Sequence, residues 1–218
     1  MSDVKNIAQL AKIAAQNALK LSCDIKNKAL LEVANALEIS KDEILAANSV
    51  DLEKAKSSEI SSSMYNRLKL DENKLRDMIQ GVKDIVNLPD PVNNILWERE
   101  IADGINLKKI SCPIGVIGVI FEARPDVISQ ISSLAIKSSN AVILKGGSEA
   151  VETNKTIFGI IEKALLQVKE FPLNMVNLIF SRDDVKTMLE MDEYINLIIP
   201  RGSNSLVKYI KSNTKIPV

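Results

Sequence analysis

The chain has 218 residues, 28 basic and 28 acidic side chains and no histidine. That balance gives no electrostatic case for nucleic acid or an anionic membrane, and no apolar run approaches the ~20 residues of a membrane span. Without histidine the commonest general base and metal ligand is missing, and Cys23 and Cys112 stand alone, with neither metal-ligand spacing nor a disulfide framework. Chemistry therefore has to rest on cysteine, carboxylates, lysine or a bound cofactor. The length allows one large or two small domains. The polar start after Met1 lacks the basic and apolar regions of a signal peptide, so the expected location is the cytoplasm.

Between Val4 and Leu21, the apolar residues Ile7, Leu10, Ala11, Ile13, Ala14 and Ala18 form one helical stripe. Leu30, Leu31, Val33, Ala34 and Leu37 form a second between Lys26 and Glu38. Ser40-Lys-Asp-Glu43 has the form of a capping box and predicts a third helix to about Ala55. Serine-rich Ser57 to Ser63 reads as a loop. Asp71 is placed to cap a helix carrying Leu75, Met78, Ile79, Val82, Ile85 and Val86, which Pro89-Asp-Pro91 stops. Residues 1–91 thus read as helices that pack, without a catalytic candidate. Ile95 to Ile101 and Ile105 to Ile110 predict two strands joined around Asp103-Gly104, a hairpin over 92–111.

Ile114 to Phe121 is a nearly continuous apolar run, suited to a strand buried on both faces. A polar turn, Glu122-Ala-Arg-Pro125, precedes helical spacing at Val127, Ile128, Ile131, Leu134 and Ala135. A second short run, Ala141 to Leu144, ends in Lys145-Gly146-Gly147. Strand, helix and strand make a βαβ unit, which implies a parallel sheet with a ligand crevice at the strands' carboxyl ends. Arg124 and Lys145 lie where such strands end, and two cations there point to an anionic substrate or cofactor. A helix over Val151 to Val168, a strand over Met175 to Phe180 and a helix over Asp183 to Met191 follow. A strand over Ile195 to Ile199 and a helix from Ser205 to Lys211 complete a doubly wound α/β sheet over 112–218. No G-x-G-x-x-G is present. Gly115 and Gly118, three apart inside a strand, cannot form the usual pyrophosphate turn.

GVIGVIFEARPDV at 115–127, NAVILKGGSE at 140–149 and IIPRGSNSL at 198–206 resemble the γ-glutamyl phosphate reductase family of the aldehyde dehydrogenase superfamily. Asn66-Arg67-Leu68 and Leu88-Pro-Asp-Pro91 extend the resemblance over essentially the whole chain. It implies an aldehyde dehydrogenase-like α/β fold: N-terminal helices plus an incomplete doubly wound parallel nucleotide-binding sheet. The hairpin would be an arm that pairs with another subunit of a homo-oligomer, although an edge hairpin within the monomer is the alternative. The implied reaction is NADPH-dependent reduction of L-glutamyl 5-phosphate to L-glutamate 5-semialdehyde, with phosphate release, in proline biosynthesis. In the family a cysteine attacks the acyl phosphate and presents a thioester to hydride. That cysteine lies beyond the position matching Val218, so neither Cys23 nor Cys112 is expected to be the nucleophile. The chain is expected to be an amino-terminal half that cannot catalyse the reaction alone. Rival readings are an inactive nucleotide-binding remnant, a subunit-interaction fragment, or a relative acting on another acyl substrate.

Carried onto this sequence, the resemblance sets the adenosine ribose of NADPH against Lys145, Gly146, Gly147, Ser148 and Glu149. Lys145 and Ser148 suit a 2′-phosphate, while Glu149 opposes one. A plain Gly146-Gly147 turn with Ser148 as a helix cap is the other reading. Gly202 and Ser203 would lie near the cofactor phosphates, with Ser203 standing where the family has glycine; a simple helix cap is the alternative. Arg124 aligns with an asparagine that stabilises an oxyanion in aldehyde dehydrogenases, and its planar fork suits the acyl phosphate substrate. Glu122 would orient Arg124 or pair with it structurally; alternatively Arg124 is a surface ion pair. Val127-Ile-Ser-Gln130 replaces the family's Val-Thr-Val-Asp and leaves the finer substrate contacts open. An unfinished sheet with an exposed apolar edge is expected to aggregate.

Overall fold

The computed structural model describes residues 3–58 and 60–218. The start of the chain through Ser2, and Glu59 within the expected Ser57–Ser63 loop, lie outside the described residues. Helix α1 spans Val4–Ala18, and the Asp3 carboxylate accepts the Asn6 N–H at its start. Its buried face is Val4, Ala8, Ala11, Ala14, Ala15 and Ala18, while Leu10 and Ile13 are exposed. The core face is thus rotated from the expected stripe, because small alanines let the helix axis lie close to what it covers. Helix α2 spans Cys23–Ile39 and α3 spans Lys41–Ser57. Ser40 makes no side-chain cap, contrary to the capping-box reading. It also ends α2, its N–H bonded to the Ala36 carbonyl, and this double duty holds its backbone away from the extended cap geometry. Part of the expected serine loop is helical: α4 spans Ser62–Leu68, capped by Ser61. Helix α5, Glu72–Val86, begins where Asp71 accepts the Lys74 N–H.

Strands β1, Ile95–Ala102, and β2, Ile105–Ile110, form an antiparallel hairpin with Gly104 at φ 73° in the turn. Every residue of both strands is exposed. The second sheet is built from β3 (Val116–Phe121), β4 (Ala141–Lys145), β5 (Val176–Leu178) and β6 (Leu197–Arg201). Helix α6, Asp126–Lys137, links β3 to β4, and α7, Val151–Leu166, links β4 to β5. Helix α8, Arg182–Leu189, links β5 to β6, and α9, Asn204–Ser212, follows β6. The order is β5-β4-β3-β6, with every pairing parallel.

Helices α6 and α7 step the chain one way across the sheet, whereas α8 returns it to the far side of β3. Right-handed crossovers therefore put α8 on the opposite face, where α1 packs against it. Helices α2, α3 and α5 pack over α6 and α7, so one buried cluster runs from Val4 to Ile216. The chain's last residues lie along the outer side of β6, where the Ile198 N–H donates to the Pro217 carbonyl at 2.8 Å. The expected bare edge is to that extent covered. Among the described residues no helix is long and apolar enough to cross a membrane.

Candidate functional site

The sheet changes winding direction between β3 and β6, and in such folds the crevice at that switch point receives ligands. Phe121 pairs with Arg201, so Glu122 and Gly202 emerge side by side. A Cβ on Gly202 would lie 2.8 Å from the Glu122 carboxyl carbon and 2.8 Å from Leu206, so glycine leaves room for a carboxylate here. The next residue, Ala123, has φ 38°, a left-handed conformation that costs an alanine about 1–2 kcal/mol. Its N–H is held by Glu149 Oε1 at 2.5 Å. Glu122 lies beside Gly202, whereas Arg124 lines a separate cleft against α4 and α5. Glu122 and Arg124 form no ion pair among the described residues, so Glu122 does not orient Arg124 as the sequence suggested, and neither is Arg124 tied up in a surface pair.

Lys145 ends β4, opposite Ile120 of β3. Burial pushes its ammonium pKa down; Glu149 opposes that shift, Arg182 adds to it, and Glu122 opposes it. Lys145 is thus surrounded by two carboxylates and one further cation. Arg182 was missed in the sequence, where only its place after a third parallel strand marks it. Gly146 is demanded by packing within the chain, since a Cβ would fall 2.1 Å from Asn154 Nδ2 and 3.2 Å from Phe121. Glu149 folds back over Gly147, whose Cβ would meet the Glu149 carboxylate.

Ser148 is exposed and starts a 3₁₀ turn, Ser148–Ala150, without capping α7. Asp51 of α3 serves that helix end instead. Its Oδ1 accepts the Glu152 N–H at 3.1 Å, and its Oδ2 accepts the Thr153 N–H at 2.8 Å and the Thr153 hydroxyl at 2.7 Å. The helix-cap reading of Ser148 is therefore corrected, and its hydroxyl stays uncommitted. A buried carboxylate now fills the helix end where an ordinary βαβ nucleotide site holds pyrophosphate. The N-terminus of α9 is open by comparison. Ser203 adopts φ −63° and ψ 155°, and its hydroxyl accepts the Leu206 N–H at 3.4 Å. Serine meets no backbone obstacle there, and the N–H groups of Asn204 and Ser205 are left for an anion. Lys145, Ser148, Arg182 and this helix end all lie at or just after the carboxyl ends of neighbouring parallel strands.

A cleft of about 330 Å³ runs beside this set, with Lys54, Ser58, Met64, Ser148 and Glu149 among its walls. The Arg124 cleft, about 320 Å³, is lined by Asn66, Arg67, Lys74, Asp77 and Gly81 among others. Neither cysteine lines either cleft. Cys112 is exposed and precedes β3 at the sheet's amino end, about 20 Å of strand away from the crevice at 3.3 Å per residue. The Cys23 thiol accepts a weak bond from Asn27 at 3.5 Å at the start of α2.

No family model matches the chain. It is 61% identical over 217 residues to a protein named γ-glutamyl phosphate reductase from Brachyspira hyodysenteriae, covering 98% of this chain and 50% of that one. The corresponding protein of Ruminiclostridium cellulolyticum is 44% identical over 216 residues and likewise half covered. A crystal structure of γ-glutamyl phosphate reductase from Saccharomyces cerevisiae superposes with a TM-score of 0.95 at 40% identity, over all of this chain and 56% of that one. A probable aldehyde dehydrogenase from Listeria monocytogenes shares the fold at a TM-score of 0.73 and 11% identity. The fold is thus aldehyde dehydrogenase-like, and the chain spans about half the length of the curated relatives it matches.

Proposed function

We propose that this chain is the cofactor- and phosphate-binding part of a γ-glutamyl phosphate reductase. The enzyme reduces L-glutamyl 5-phosphate to L-glutamate 5-semialdehyde and phosphate with NADPH, in cytoplasmic proline biosynthesis. A bound nicotinamide supplies the hydride. Lys145, with Ser148 and the backbone at Gly146 and Gly147, faces the adenosine ribose and its 2′-phosphate. Glu149 favours the charged form of Lys145 against burial and props the Ala123 turn. Gly202 and Ser203 present the α9 N-terminus to the pyrophosphate. Arg124 takes the phosphoryl group of the substrate, and Glu122 occupies the crevice between the two ligands. The exposed hairpin pairs with a second subunit.

One observation carries the reading: Asp51 closes the usual phosphate position at α7, while Lys145 and the α9 N-terminus stand at the carboxyl ends of the two strands that flank β3. Titrating the chain with NADPH and NADH by nicotinamide fluorescence tests it. Saturable binding is expected, tighter for NADPH, and Lys145→Ala should weaken NADPH about tenfold, the equivalent of one charge-assisted contact. A chain that binds neither nucleotide overturns the reading. The place of Cys112 at the sheet's amino end, and the absence of both cysteines from the walls of either cleft, favour a narrower second reading, binding without turnover. It predicts that the pure chain binds NADPH yet does not oxidise it when supplied with the acyl phosphate.

A further inference from the structure

We propose that the cleft between α4, α5 and the start of α6 holds the α-amino acid head group of the substrate. The proposal rests on the acyl phosphate reading above and deepens it. At about 320 Å³ the cleft sits at the lower end of small-molecule pockets, which run from about 300 to 1,000 Å³. Its lining pairs both signs of charge: Arg67, Lys74 and Arg124 against Asp77 and Asp126. A purely anionic ligand would call for cations alone. A zwitterionic head joined to a phosphate needs both, with the cations in excess.

The hydrogen bonds separate the walls of the cleft from its recognition groups. The Lys74 ammonium donates to the Asn66 carbonyl at 2.8 Å and the Lys69 carbonyl at 2.7 Å, tying the end of α4 to α5. Lys74 is thus a positioning residue. Arg67 uses its Nε on the Ser63 carbonyl at 3.3 Å, which aims the guanidinium and leaves its terminal N–H groups for a bidentate carboxylate. Asp126 accepts from Gln130 at 3.0 Å, whereas Asp77 has no hydrogen bond or ion pair among the described residues. The assignment follows: Arg67 takes the α-carboxylate, Asp77 the α-ammonium, and Arg124, on the turn shared with the cofactor crevice, the phosphate end. The side chain of the amino acid then runs from the cleft towards that crevice.

Gly81 makes the test clean. It lines the cleft, and a Cβ built there meets nothing within 4 Å. Gly81→Met starts its side chain in open space beside the cleft and should fill it, and replacing a mid-helix glycine should leave Tm no lower than that of the parent. The probes are L-glutamate and glutarate, followed through the backbone amide of Gly81 and the side-chain amide of Gln130 by NMR. L-Glutamate should move both resonances saturably, and glutarate, which lacks the ammonium, should bind several-fold more weakly. Arg67→Ala should weaken glutamate about tenfold, and Gly81→Met, read at Gln130, should abolish its binding. Unmoved resonances, equal affinity for glutarate, or an unaffected Arg67→Ala would overturn the proposal. Wild-type NADPH titration in the same sample separates the failures: a chain that binds NADPH but ignores glutamate loses this inference and keeps the cofactor reading.

Discussion

The hairpin of β1 and β2 and the parallel pair of β3 and β4 are both rich in branched apolar residues, yet they live in opposite surroundings. Ile95, Trp97, Ile105 and Leu107 are each about half exposed, while Ala141 to Leu144 are completely buried. The cause is connectivity. Antiparallel strands can be joined by the two residues Asp103-Gly104, which bring no cover with them. Parallel strands require a crossover, and the crossover helix α6 is itself the cover. A two-stranded ribbon alone is marginal in water. This one is fastened at its base, where the Asn94 N–H donates to the Ser111 hydroxyl at 3.0 Å and Ser111 donates in turn to the Pro91 carbonyl at 2.7 Å. Just before it, Asp90 pairs with Lys26 of α2 at 2.6 Å. Among the described residues, the hydrogen bonds and ion pairs that fasten the exposed ribbon to the rest of the chain lie at its root.

The largest expected effect tests that contrast directly. Ile143→Ala, at a fully buried position, should cost about 4 kcal/mol in urea unfolding. Leu107→Ala should cost no more than about 0.5 kcal/mol in dilute chain, the usual range for an exposed site. If the hairpin change costs as much as the sheet change, and the cost depends on protein concentration, the ribbon is covered by a second copy in solution. Next in size is the fastening. Lys26 is 1% exposed, and Asp90→Ala would orphan its charge at about 3 kcal/mol, the low end for a buried pair because water reaches Asp90. Burial raises the Asp90 pKa, but the Lys26 bond, the Val92 N–H and the Lys26 charge together hold it below its ordinary 3.8. Its folded pKa is the lower one, so its stabilisation is present above pH 3.8 and lost as pH falls through the folded value. The gap between Asp90→Ala and the parent should close in strong acid; a gap constant with pH would show that ionised Asp90 is not what holds the root.

The parallel sheet was legible because two signals agreed, continuous branched runs for the strands and helical spacing between them. The boundaries moved by a few residues: the expected strand over Ile195–Ile199 lies at Leu197–Arg201. The glycines at 115 and 118 answer to packing within the chain. A Cβ on Gly115 would meet Asn196 at 2.2 Å, and one on Gly118 would meet Ile198 at 2.6 Å, so both serve strand packing. What stayed hidden was non-local. Nothing near Val151 announces that Asp51, 102 residues before Thr153, will cap the helix and push a phosphate elsewhere. Arg67 entered the sequence reading only within Asn66-Arg67-Leu68 and Asp77 not at all, because what joins them is the cleft they share with Arg124. In α1 the hydrophobic period was read correctly, but leucine and isoleucine outweighed alanine in setting its phase, and close packing chose alanine.

The smallest expected effect sits where the buried strand meets the site. The rule that makes β4 apolar breaks at its last residue, Lys145, whose ammonium is held partly out of water. Burial lowers its pKa from 10.5, so the folded chain resists protonation at a pH where the unfolded chain is already charged. The cost is complete below the folded pKa, shrinks as pH rises through it, and vanishes above 10.5. Lys145→Met keeps the stem and removes the charge, so it should stabilise the chain at pH 7 by well under about 1 kcal/mol, solvent screening blunting the effect. That advantage should disappear above pH 10.5, while at pH 7 NADPH should bind about tenfold more weakly. Greater stability with weaker binding from one substitution would mark Lys145 as retained for its ligand, because the fold alone is better off without it. If Lys145→Met instead destabilises the chain, the lysine is a structural partner of Glu149 and Glu122, and the nucleotide has to find its cation in Arg182.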